Sequence, residues 1–181
     1  MNTADPRGPV LITIAREAIA DEDGCAPRTA RAEPWLSAPA ATFVTLRLAG
    51  ELRGCIGSIH ALRPLAEDVY ANARAAAYRD TRFSPVGAHE RDALEVEVSL
   101  LSSPETVAAG SEAEALERLR PGVDGVIVRY EDFQATFLPQ VWESLPDPLA
   151  FLSELRVKAR LPARFWHPRL ALSRYTVEKF R

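Results

Sequence analysis

The run Leu94–Leu101, LEVEVSLL, alternates cleanly: Leu94, Val96, Val98 and Leu100 face one way, and Glu95, Glu97 and Ser99 face the other. Period-two alternation marks a strand with one buried and one open face. Such strands belong to antiparallel sheets, because parallel sheets are covered on both faces and read as continuous apolar runs. Around this strand the rest of the chain can be ordered. Residues 42–59 alternate through Val44, Leu46 and Leu48, break at Ala49-Gly50-Glu51 and resume, which predicts a β-hairpin turning near Gly50. Pro64 opens a helix with Glu67 and Asp68 in its first turn, where the helix dipole favours acid, and the helix runs to about Tyr78. A second set follows. GVIVRY, Glu131-Asp132 and FQATFL predict another hairpin. Asp147-Pro148 caps a helix carrying Phe151, Leu152, Leu155 and Ala159, and LALSRYTV (Leu170 to Val177) reads as one last strand.

The order strand–strand–helix–strand thus occurs twice, over 42–102 and 124–177. The expected fold class is α+β, with mainly antiparallel sheets, flanking helices and an internal duplication of that unit. Residues 1–181 are expected to form one domain of two lobes sharing a cleft. Leu11, Ile14, Ala15, Ala18 and Ile19 place a further amphipathic helix over 9–20. Ser111 and Glu114 form a capping-box pattern for another, ending before Pro121-Gly122. Residues 21–41 read as an irregular connection pinned to the core by Trp35 and Leu36.

Composition excludes several functions. Hydrophobic residues make up 47% and charged residues 26%, an ordinary globular balance, and the net charge of −3 gives no reason to expect nucleic acid as partner. Two cysteines, Cys25 and Cys55, cannot supply a four-cysteine cluster or zinc site. His60, His89 and His167 form no close pair, so no metal is expected. No apolar run approaches the roughly 18 residues of a membrane span. The polar segment Met1–Gly8 has no apolar core of a signal peptide, so the protein is expected to be cytoplasmic and reduced. Arginine outnumbers lysine 20 to 2, so a lone arginine is weak evidence of function.

The segment Leu52–Ser58, LRGCIGS, carries the clearest chemical signal. Glycine inside a strand packs nothing and costs backbone entropy, so Gly54 and Gly57 imply that another backbone or a ligand comes close. On an extended chain Arg53 and Cys55 point to one face, and Leu52 and Ile56 to the other. A guanidinium beside a thiol favours the thiolate, which makes Cys55 a candidate nucleophile and reactive cysteine. The same residues also fit a structural role, with Cys55 a small buried hydrophobe and the glycines serving tight packing or a bulge. Arg82 lies in the loop after the helix that follows, where binding residues concentrate, and its expected meeting with Arg53 and Cys55 would suit a carboxylate- or phosphate-bearing ligand. Gln140 follows a strand; its amide either binds ligand or anchors a loop. The expected ligand-binding set is Arg53, Gly54, Gly57, Arg82 and Gln140. No cofactor fingerprint is present, and the cofactor is left unknown.

LRGCIGS, DTRFSPV (Asp80–Val86), LEVEVSLLSSP (Leu94–Pro104), GVIV and FLPQVW (Phe137–Trp142) occur in that order and together resemble the AMMECR-type domain family, over about residues 10–180. The resemblance implies an α+β fold with a repeated strand–helix unit and a cleft near the RGCIG segment. It implies association with a MEMO-type protein and a radical-SAM enzyme, the AmmeMemoRadiSam system, and no defined activity. The chain lacks CxxxCxxC and so is not itself the radical-SAM component. It departs from the family pattern at Thr81, usually proline, and at Arg160, usually a glycine that caps a helix; the helix is therefore expected to end differently. Two functions remain open at this point. One is a component of a modification system, with Cys55 as nucleophile, acceptor or carrier and Arg53 binding an anion. The other is a non-catalytic module binding a ligand or partner, in which Cys55 is structural.

Overall fold

Both hairpins form where their turn residues accept left-handed backbone. In a computed structural model of the chain, which describes residues 5–21 and 33–181, β1 (Pro39–Leu48) joins β2 (Glu51–Gly57) through Ala49 at φ 51° and Gly50 at φ 82°. Positive φ at both central residues matches the twist of the flanking strands. β6 (Gly125–Tyr130) joins β7 (Phe133–Phe137) with Glu131 at φ 52°.

The first sheet has the order β2-β1-β4-β9, with β4 at Leu94–Leu101 and β9 at Val177–Phe180; the two-residue β3 (Arg63–Pro64) also pairs with β1. The second has the order β5-β8-β6-β7, with β5 at Glu105–Thr106 and β8 at Ala171–Tyr175. The pairs β1–β2, β1–β4, β6–β7 and β6–β8 are all antiparallel. With α2 at Leu65–Tyr78 and α4 at Pro148–Lys158, the chain runs β1-β2-α2-β4 and later β6-β7-α4-β8. Each time the first strand lies between the second and the last. This is the expected duplication, visible in topology as well as element order.

Two compact units result. The first comprises residues 1–101 with 178–181, and the second residues 102–177. In the first, α1 (Arg7–Ala20) and α2 bury Leu11, Ile14 and Val69 with Val44 and Val98 of the sheet; Leu36 joins this core and Trp35 packs against it. In the second, Phe151, Leu152 and Leu155 of α4 pack with Val126, Val128 and Leu172, and Trp142 stacks on Phe151 with centroids 3.7 Å apart.

Caps follow the sequence with one variation. Asp147 Oδ2 accepts the Ala150 N–H at 2.8 Å. Ser111 Oγ accepts the Glu114 N–H at 3.2 Å to start α3 (Glu112–Arg118), but Glu114 reaches back to the Gly110 N–H rather than to that of Ser111. The end of α4 differs from expectation. Arg160 itself adopts φ 62°; its N–H bonds to Val157 O and that of Leu161 to Arg156 O, both at 2.9 Å. These two bonds form a Schellman ending, so the helix terminates in the usual left-handed way without glycine.

LALSRYTV is also not one strand. β8 ends at Tyr175 and β9 begins at Val177, each in a different sheet. No glycine or proline marks the change. Cys25 lies outside the described residues.

Candidate functional site

β2 is an edge strand, and its register on β1 slips once. Leu46 pairs with Gly54 and Arg47 with Leu52, so Arg53 is the extra residue of a β-bulge. The bulge interrupts the period-two rule that placed Arg53 and Cys55 on one face. The Arg53 guanidinium instead grips the segment after α2: Nε and Nη2 each donate to the Glu90 carboxylate at 2.9 Å, Nη1 to Ser84 O at 2.8 Å, and Nη2 to Pro85 O at 3.4 Å. Arg53, helped by the Gly87 N–H at 2.7 Å, pulls the Glu90 carboxyl down to about 2. The same bonds to Glu90 raise Arg53 above its ordinary value.

The two glycines answer to different neighbours. A Cβ on Gly54 would stand 2.2 Å from Ala76 O, so the backbone of α2 lies directly against the strand. A Cβ on Gly57 would stand 2.2 Å from Cγ of Phe43, whose ring covers that position.

Cys55 is half-buried between them. Its sulfur lies 3.4 Å from Oγ1 of Thr45, its partner across the strand pair. On the outer edge its backbone meets an ion pair. The Cys55 N–H donates to Asp80 Oδ2 at 2.8 Å, and Cys55 O accepts from Arg82 Nη2 at 3.2 Å. Arg82 in turn donates to both Asp80 oxygens, Nε to Oδ1 at 2.9 Å and Nη2 to Oδ2 at 2.7 Å. One side-chain pair therefore satisfies both backbone groups that an edge strand leaves open. Arg82, with the backbone N–H groups of Cys55 and of Arg82 itself, holds the Asp80 carboxyl well below the usual carboxylate range, against the effect of burial. The bonds to Asp80 raise Arg82 above its ordinary value. The Arg82 side chain remains 54% exposed.

The structure thus brings Arg53, Gly54, Cys55, Gly57 and Arg82 together along β2 and residues 80–90. Gln140 belongs to the second unit, in the 3-10 turn Pro139–Glu143; its Oε1 is buried with no hydrogen-bond partner among the described residues.

A polar cluster at the end of LRGCIGS is missing from the sequence expectations. Asp68, 1% exposed, accepts from the Thr42 N–H at 2.9 Å, Thr42 Oγ1 at 2.8 Å, Ser58 Oγ at 2.6 Å, Asn72 Nδ2 at 2.9 Å and Arg63 Nη2 at 2.7 Å. It locks the end of β2 to the first turn of α2. The available signal was Asp68 and Asn72 one helical turn apart, facing the segment that ends in Ser58. Among the described residues no group of three or more His, Cys, Asp or Glu side chains is arranged to hold a metal, and no helix is long and apolar enough to cross a membrane.

Comparison with known proteins extends these observations. The AMMECR1 family model matches residues 12–180. A protein of Methanocaldococcus jannaschii is 40% identical over 121 residues, which span 64% of this chain and 58% of that relative, less than two thirds of its length. A protein of Thermofilum pendens is 35% identical over 192 residues, covering 96% of this chain and 88% of its own. The crystal structure of an uncharacterized protein from Pyrococcus horikoshii superposes with a TM-score of 0.85 at 33% identity, over 97% of this chain and 91% of that one.

Proposed function

The chain belongs to the AMMECR1 family, and from that membership we propose that it is a component of a modification system working with a radical-SAM enzyme and a MEMO-type protein, with its site at Cys55. The observation that carries the site is the double anchoring of Cys55. Asp80 and Arg82 fix its N–H and C=O from outside the sheet, so two of the most distinctive segments, LRGCIGS and DTRFSPV, converge on one residue. In this reading the thiol is the nucleophile, acceptor or carrier. The half-exposed Arg82 guanidinium offers charge to a carboxylate or phosphate of the ligand. Arg53, Gly54 and Gly57 hold the strand that presents the thiol. Gln140 belongs to the second unit, and a ligand contact there is supported by its buried oxygen, which has no partner among the described residues.

Intact-mass spectrometry of the protein, purified alone and after incubation with both partners, tests this reading. A Cys25→Ser background leaves Cys55 as the sole thiol. The expected result is an adduct on Cys55 that Cys55→Ser abolishes; an unmodified Cys55 throughout speaks against it.

One observation favours a second reading, a non-catalytic binding module with a structural Cys55. Arg53 spends its donors on Glu90, Ser84 and Pro85. The mass spectrum of Cys55 separates the readings, and calorimetry on Arg82→Ala tests the ligand contact that both allow. A contact to an anionic ligand is worth about 1.5–3 kcal/mol, so its loss weakens binding roughly ten- to a hundredfold. A lowered melting temperature with unchanged binding assigns Arg82 to anchoring the Cys55 backbone instead.

A further inference from the structure

Arg47 of β1 and Glu95 of β4 stand directly opposite each other across the strand pair, and both are exposed. Opposite charges in such a position ordinarily attract and pair. Here they stay apart. Arg47 Nη1 donates to Gly50 O at 3.2 Å, and Glu95 has no hydrogen bond or ion pair among the described residues. The next acid of the strand is held differently. Glu97 accepts from Arg181 Nε and Nη2, both at 2.6 Å, and has Lys179 Nζ at 3.8 Å.

This open pair lines a cavity of about 500 Å³ that lies wholly within the first unit. The volume falls in the range of small-molecule sites, roughly 300–1,000 Å³. Ile12 of α1 and the buried Val96 of β4 give the lining apolar surface, and Arg16 of α1 adds a second guanidinium. Arg16 Nη2 donates to Leu94 O at 3.1 Å, and its charge has no carboxylate partner among the described residues. The cavity therefore offers uncommitted charge of both signs beside apolar surface. A plain anion would satisfy the guanidiniums and be repelled by Glu95. A plain cation would meet the reverse conflict. A ligand that carries both charges close together satisfies both.

We propose that this cavity binds a small zwitterion, an α-amino acid with an apolar side chain. The Arg47 guanidinium receives the carboxylate, to which its planar fork is matched, and Arg16 adds a second cation. The ammonium group donates to the Glu95 carboxylate, and the apolar side chain lies against Ile12 and Val96. Thr45 also lines the cavity, and its Oγ1 lies 3.4 Å from Cys55 Sγ. The site thus adjoins the thiol, but it is built from its own residues and does not depend on the reading of Cys55.

Isothermal titration of the full chain compares L-leucine with two probes of the same shape: isocaproate, which lacks the amino group, and isoamylamine, which lacks the carboxylate. Leucine is expected to bind, and each probe to bind roughly ten- to a hundredfold more weakly, the loss that accompanies one charge-assisted contact. Arg47→Gln is expected to remove the preference for leucine over the amine, and Glu95→Gln the preference over the acid. Both side chains are exposed, so the thermal melt of each variant without ligand is expected to match the parent. No binding of leucine at millimolar concentration, either probe binding as tightly as leucine, or full leucine affinity in both variants overturns the proposal.

Discussion

Arg160 holds φ 62°, a left-handed conformation that costs an L side chain about 1–2 kcal/mol. It does so because the two bonds that close α4 require a left-handed residue at that point. Arg160→Gly is therefore expected to raise stability by about 0.5–1 kcal/mol, less than the full strain because glycine also loses more entropy on folding. The check is a higher urea midpoint with an unchanged denaturant slope. This position was legible, because the departure from a glycine pattern pointed straight to the helix end. Arg156 was not. It is 0% exposed, donates to Ala163 O at 2.8 Å, pairs with Glu112 and lies 5.9 Å from the Trp166 ring. In a chain with 20 arginines no local pattern separates a buried one from a solvated one. Asp68 was hidden differently. Acid in a first helical turn is explained by the helix dipole alone, and the partners that bury it come from three other segments.

At the scale of elements, the segment Ser84–Glu90 is tied to β2 by the Arg53–Glu90 pair, which makes that attachment sensitive to acid. Glu90 is lowered in the folded state from 4.5 to about 2. Its contribution is therefore complete above pH 4.5 and is lost as the pH falls toward about 2. Glu90→Gln is expected to melt below the parent protein at neutral pH, with the two curves converging near pH 2, as followed by circular dichroism across that range. Both hairpins, α2 and β4 were readable because turn residues, proline and alternation act over a few neighbouring positions. The division of β8 from β9 was not, because it depends on which sheet each half joins. The bulge at Arg53 was weighed only as one alternative for the glycines, and it redirects the side chain that mattered most to the expected site. Register is set by pairing with β1, which a single strand's pattern does not record.

At the scale of the molecule, the first unit is discontinuous: residues 178–181 return to it after the whole second unit has been traced. Phe180 is 8% exposed in the first core, with the Arg7 guanidinium 5.4 Å from its ring centroid. Phe180→Ala is expected to cost about 3 kcal/mol. Amide exchange should then quicken in α1 and β4 while β6 and β8 keep their protection; uniform acceleration throughout would contradict the division into units. The late return also imposes an order on synthesis. Strand β4 is made early, yet its neighbour β9 is not available until the 76 residues from Ser102 to Val177 have been added. At about 5–20 residues per second that interval is roughly 4–15 s. Throughout it the nascent first sheet carries an unfilled place beside β4, where a strand from a neighbouring chain on the same message can pair before the chain's own.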